Sequence, residues 1–127
     1  MNNLSNWFFR LAVLYLVLGV TLGLFMGMSG DHSMFPVHAH LNLLGWVTLS
    51  LFGLYYRAIP AAAGTRLARL HFWIYVPAHF VQMVLLFALF RNHPELEPAL
   101  GVASMLVGVG ILCFVVIVWR HTPMAAA

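Results

Sequence analysis

Two histidines two residues apart, His38 and His40, lie inside an otherwise apolar run of helix length, PVHAHLNLLGWVTLSLFGLYYR, from Pro36 to Arg57. Neutral imidazole is the commonest metal ligand and a usual axial ligand of haem iron. An ionisable ring in lipid-facing sequence is costly and marks a site. In an α-helix each residue advances about 100°, so the two rings point about 200° apart, towards opposite faces. They cannot easily share one metal. The pair reads as two half-sites, each completed by another helix, and the plainer reading is two polar residues capping a helix start. Asn42 and Gly45 fall on the His38 face and leave a shallow slot in which a flat macrocycle would lie.

The other histidines are placed less tellingly. His79 follows Pro77 in LHFWIYVPAHFVQMVLLFALF, close to mid-membrane at 1.5 Å rise per residue, with Gln82 one turn further near the same face. Outer-shell support, direct ligation and a step in a proton relay all remain open for it. His71 stands near the start of that run, as an interfacial polar residue or as part of a site. His32 and His93 fall in loops and His121 near the end of the last run, where solvated roles are expected, with a small surface metal site between His32 and His93 as the sharper alternative. Cys113 is the single cysteine, so there is neither a disulfide framework nor a Cys-x-x-Cys-His haem attachment.

What must position these residues is a membrane domain. Of 127 residues, 63% are hydrophobic and 7% charged, and the mean hydropathy is +0.94. That composition belongs to an all-α integral membrane protein. Four apolar runs predict a single four-helix domain over residues 1–127, with helices at about 7–28, 36–57, 69–91 and 98–120. The first run is too long for a typical signal-peptide core and is read as retained. All six basic residues are arginines, scattered between apolar runs, and make no nucleic-acid-binding face. Four crossings put Arg10, Arg57, Arg66, Arg69 and Arg120 on one side and Arg91 with Asp31, Glu95 and Glu97 on the other. Both termini are therefore expected in the cytoplasm, with Trp7 and Trp119 at that interface. Gly19, Gly23 and Gly27 recur every four residues as a stripe for close approach of another helix, within the chain or across a subunit boundary. Ser104, Gly108, Gly101 and Gly110 make a weaker version on the fourth helix, which is read as scaffold.

HAHLNLLGW, followed after a short basic loop by LHFWIYVPAHFVQM, resembles the tenth and eleventh helices of the haem-copper oxidase catalytic subunit, especially its nitric oxide reductase branch. The matching positions are His38, His40, Leu41 and Gly45, then Phe72, Trp73 and Met83, within residues 36–90. The resemblance implies that His38 takes the place of the histidine binding the high-spin haem and His40 that of the histidine binding the low-spin haem, on opposite sides of one helix. No adjacent His-His pair and no histidine helix with a following Glu or Tyr is present, so the family's second metal has no counterpart and no catalytic residue is assigned.

The family subunit has twelve helices in three arcs of four, and this chain supplies four. The resemblance therefore implies a homotrimer in which His40 of one chain and His38 of the next face a shared pore and hold one haem b. A dimer sharing a haem, or a haem within one bundle held by His38 or His40 together with His79, are the competing assemblies. The expected function is electron transfer or binding of a diatomic gas, in a bacterial inner (cytoplasmic) membrane, with haem storage or delivery indistinguishable in sequence. The alternative is a non-haem assembly subunit, or a metal or proton conduit built from His32, His38, His40, His79 and His93.

Overall fold

A computed structural model describes residues 4–122, and these are all-helical, with four helices long and apolar enough to cross a membrane. They are α1 (Leu4–Ser29), α2 (Phe35–Ala58), α3 (Arg66–Phe90) and α4 (Glu97–His121). Their ends lie within one turn of the expected ones. A single helical turn, Pro60–Ala63, and a 3-10 turn, Pro94–Leu96, fill two of the connections. The starts and stops follow local chemistry. Gly30 ends α1 at φ +70°, and its N–H donates to the Met26 carbonyl. The Thr65 hydroxyl accepts from Ala68 N at 3.1 Å and caps α3. Asn92 follows α3 at φ 74°, in the left-handed region that asparagine tolerates better than most residues. In the loop after α1, the Asp31 carboxylate accepts the Ser33 backbone N–H at 2.9 Å, which holds its pKa below the ordinary carboxylate value.

Successive helices run antiparallel. Ser5 donates to the Gly53 carbonyl at 2.8 Å and His38 faces Gly19, so α2 returns along α1. Tyr56 meets His71 and Tyr75 reaches Leu44, so α3 returns along α2; Gln82 donates to Ser104 at 2.9 Å, tying α4 to α3. Residues 4 and 122 therefore lie at the same end of the bundle, where the Tyr55 hydroxyl meets Thr122 Oγ1 at 3.1 Å. Outward-facing leucines, valines and phenylalanines such as Leu14, Leu24, Phe80 and Leu112 cover the exterior, as expected for a multi-pass protein solvated by lipid.

Lipid supplies no hydrophobic driving force between helices, so contact depends on small residues. At Gly45 on α2 an added Cβ would stand 2.6 Å from Tyr15 Cγ, and at Gly110 on α4 it would stand 2.9 Å from Tyr75 Cβ. Gly19 and Gly23 take α2 side chains from the same chain, whereas Gly27, Gly101 and Gly108 have open space beside them. The glycine stripe on α1 is thus an intrachain seam over two of its three positions. Gly45→Ala should lower stability by about 1–3 kcal/mol, because Tyr15 sits too close to make room without backbone movement. Gly108→Ala should be neutral or stabilise by a few tenths of that, through helix propensity. Thermal unfolding in mild detergent distinguishes the two.

The unexpected element is in α2. Residues Leu41–Val47 form a π-helix between α-helical segments Phe35–His40 and Thr48–Ala58, where the sequence predicts an uninterrupted α-helix. Short π segments inside α-helices are frequent at functional sites. Leaving i+5 pairing for i+4 passes over one carbonyl, and two hydroxyls serve this stretch. Tyr75 donates to the Leu44 carbonyl at 2.9 Å and Thr48 to the Leu43 carbonyl at 2.7 Å. Such side-chain service is what permits irregular helix inside a bilayer.

Candidate ligand site around the paired histidines

His38 and His40 close the α-helical segment of α2 just before the π register begins, and both rings are half-buried. They occupy opposite flanks. His38 lies on α1, where its Cε1 is 2.8 Å from the place a Cβ on Gly23 would take. His40 lies on the α3 side, beside His79. The inner face between them is Val37 and Leu41, both buried.

Each imidazole is oriented the same way. His38 Nδ1 donates to the Gly19 carbonyl at 2.9 Å, and His40 Nδ1 donates to the Pro36 carbonyl at 2.7 Å. A carbonyl can only accept, so both rings carry their proton on Nδ1, with the Asn42 amide nitrogen a further 3.4 Å from that of His38; among the described residues neither Nε2 has a hydrogen bond. A ring N–H held by a backbone carbonyl with the other nitrogen free is the arrangement that fixes tautomer and direction in metal-ligating histidines.

Asn42 positions rather than lines. Its Nδ2 donates to the His38 carbonyl at 2.8 Å, and its amide packs so close to Gly19 that an added Cβ there would sit 2.5 Å from Nδ2. Gly45 departs from the expectation: the slot it was to leave beside His38 is filled by the Tyr15 ring from α1. The lack of a side chain at Gly45 admits an aromatic residue of the same chain, not a macrocycle.

His79 is fully buried, edge-on to Tyr15 with centroids 4.8 Å apart and stacked on Tyr75 at 5.9 Å, and its ring lies beside the His40 backbone without a hydrogen bond of ordinary length and angle to any described residue. Its ring is thus enclosed by Tyr15 of α1 and Tyr75 of its own helix, on the side of α3 that His40 adjoins.

His71 is also fully buried within the bundle. Its Nδ1 and the Tyr56 hydroxyl are 2.8 Å apart, and Phe8, Phe52 and Phe114 from three other helices surround the ring. His71, Tyr75 and His79 recur every four residues and form one buried polar stripe on α3. Gln82 continues it, with Oε1 unpartnered. Tyr75 is the joint of this stripe, since it also packs against Gly110 of α4 and bonds Leu44 of α2. Tyr75→Phe should destabilise the bundle by about 1–3 kcal/mol, because the Leu44 carbonyl is left unserved in a low-dielectric interior. Chemical or thermal unfolding of the variant in detergent measures this.

The remaining histidines stand apart. His32 and His93 are exposed in the two loops at one end, with Nδ1 to the Gly30 carbonyl at 3.0 Å and to Glu95 at 2.9 Å respectively. His121 bonds the Ile117 carbonyl at the opposite end. Among the described residues no three His, Cys, Asp or Glu side chains converge as a metal-ion site, so a site completed by this chain alone is not assembled from them. Comparison with family models, curated proteins and solved structures gives no match to the chain.

Proposed function

We propose that this protein binds haem b in the membrane, with His38 and His40 as axial ligands to separate haem faces, and that it transfers electrons or binds a diatomic gas. The observation that carries this reading is the shared orientation of the pair: both Nδ1 atoms are committed to backbone carbonyls, and both Nε2 lone pairs are free on opposite flanks of α2. The resemblance of HAHLNLLGW to the haem-bearing helix of the haem-copper oxidase subunit supports the same assignment. A bound haem supplies one-electron chemistry, and its potential responds to axial ligation and burial. The chain's own residues orient the ligands: Gly19 and Gly23 let His38 lie flat on α1, Asn42 ties its backbone, and Pro36 anchors His40.

Opposed ligands cannot meet on one iron within a chain. A second copy is therefore part of the proposal, as a homotrimer in which His40 of one chain and His38 of the next bind one haem, in a bacterial inner membrane with both termini in the cytoplasm. The five arginines at the terminus-bearing end favour that orientation. Native mass spectrometry of protein purified in mild detergent after growth with ample haem tests the assembly. Three chains with three haems is the expected mass; a monomer retaining one haem contradicts it.

A second reading, a proton or metal conduit, draws on the buried His71, Tyr75 and His79 stripe and its unpartnered nitrogens. Colourless protein that binds copper or zinc would favour it.

A further inference from the structure

The surface carries a second binding feature, independent of the paired histidines. α1 packs along α2, and α3 packs along α4, while α1 and α3 meet sparsely, where Phe8 touches Phe72 and Tyr15 touches His79. Between them a groove is left open to the bilayer. At the terminus-bearing end Trp7, Leu11, Phe72, Trp73 and Val76 line a cavity of about 420 Å³. It continues along the same two helices as a further 380 Å³ reaching Leu18 and Phe80. The groove is thus a long apolar channel following the membrane normal, of the shape an acyl chain takes.

The mouth of the groove is cationic. The Arg10 guanidinium lies 5.3 Å over the ring of Trp7, one of the residues that line the cavity. Arg69 precedes Trp73 by one helical turn and so stands above the opposite wall on the same face of α3. Both arginines are exposed, and among the described residues neither is ion-paired. Among the described residues no Asp or Glu side chain reaches them, since Asp31, Glu95 and Glu97 all lie at the other end of the bundle. Unpaired guanidinium groups above an apolar channel fit a molecule with an anionic head and long apolar tails.

We propose that the α1/α3 groove binds one anionic diacyl phospholipid, its phosphate between Arg10 and Arg69 and an acyl chain along Leu11 and Val76. Guanidinium matches phosphate by paired hydrogen bonds, and the Trp7 ring holds Arg10 at headgroup level. The site belongs to the single chain and does not require haem.

The test is binding of dioleoyl phosphatidylglycerol, dioleoyl phosphatidylcholine and inorganic phosphate to the full chain in detergent, read by native mass spectrometry and melting temperature. Phosphatidylglycerol should bind roughly 30-fold tighter than in an Arg10→Gln/Arg69→Gln variant, the sum of two near-surface arginine contributions. Phosphatidylcholine affinity should change little in that variant. Arg57→Gln/Arg120→Gln, which alters exposed arginines outside the groove, should keep the preference for phosphatidylglycerol. The proposal is overturned if the two lipids bind equally, if the Arg57/Arg120 variant loses as much as the Arg10/Arg69 variant, or if free phosphate reproduces the shift in melting temperature. A dimer or trimer whose mass excludes bound lipid would also overturn it, by showing a second copy in the groove.

Discussion

With haem ligated as proposed, His38→Ala and His40→Ala should each abolish its low-spin spectrum, the largest functional effect expected of any single substitution in this chain. Loss of an axial nitrogen removes a bond to iron outright. Its effect should exceed the roughly 10–100-fold loss of metal affinity that outer-shell changes cause. Both variants should still fold, since both rings are half-buried and each makes its orienting bond to a backbone carbonyl. The pair also separates a ligand shared between chains from one held within a chain. In a shared pore, His40 from a His38→Ala chain can meet His38 from a His40→Ala chain, so co-expression of the two variants should restore low-spin haem in part of the oligomers. A single variant that keeps the wild-type spectrum would remove that residue from the ligand set.

Gly23→Ala should act on His38 from across the helix seam. The added Cβ would stand 2.8 Å from His38 Cε1 and 3.2 Å from Nδ1, closer than ordinary contact, so the ring must turn or α1 must recede. Either movement strains the bond from Nδ1 to the Gly19 carbonyl that fixes the orientation of the ring. The expected result is a loss of haem affinity on the order of 10–100-fold, as for removal of an orienting partner, with a shifted absorption band. Gly27→Ala, one turn further along the same stripe, meets nothing within 4 Å and should leave haem binding unchanged. Haem titration of the two variants separates a specific effect on His38 from general loosening of α1.

Much of this arrangement is legible in the chain before folding. Four apolar runs of bilayer length dictate four helices, because every backbone polar group in lipid must be satisfied within its own segment. The placement of His38 and His40 on opposite flanks follows from their spacing alone, and the structure keeps it because the π register begins only after His40. The π segment itself leaves no periodic mark. It is supported by Tyr75, a residue of another helix, and no local pattern announces that partner. The slot expected at Gly45 fails for the same reason: its occupant, Tyr15, comes from α1.

His71 shows how an offset in helix limits changes a residue's role. Counted from the apolar run starting at Leu70, it belongs at the interface. α3 begins at Arg66, and Phe8, Phe52 and Phe114 converge from three other helices to bury the ring completely. The four-residue spacing of His71, Tyr75 and His79 was a usable signal, present in the sequence as one face of one helix. Reading each histidine separately conceals it, because the middle member is a tyrosine.

The most direct test of the central claim is the reduced-minus-oxidised visible spectrum of the protein purified in mild detergent after expression with ample haem. A sharp low-spin α band, with haem content of one per chain, is the result expected if the Nε2 atoms of His38 and His40 serve as axial ligands. Colourless protein from the same preparation would contradict the haem assignment and leave the oriented pair of histidines to another ligand.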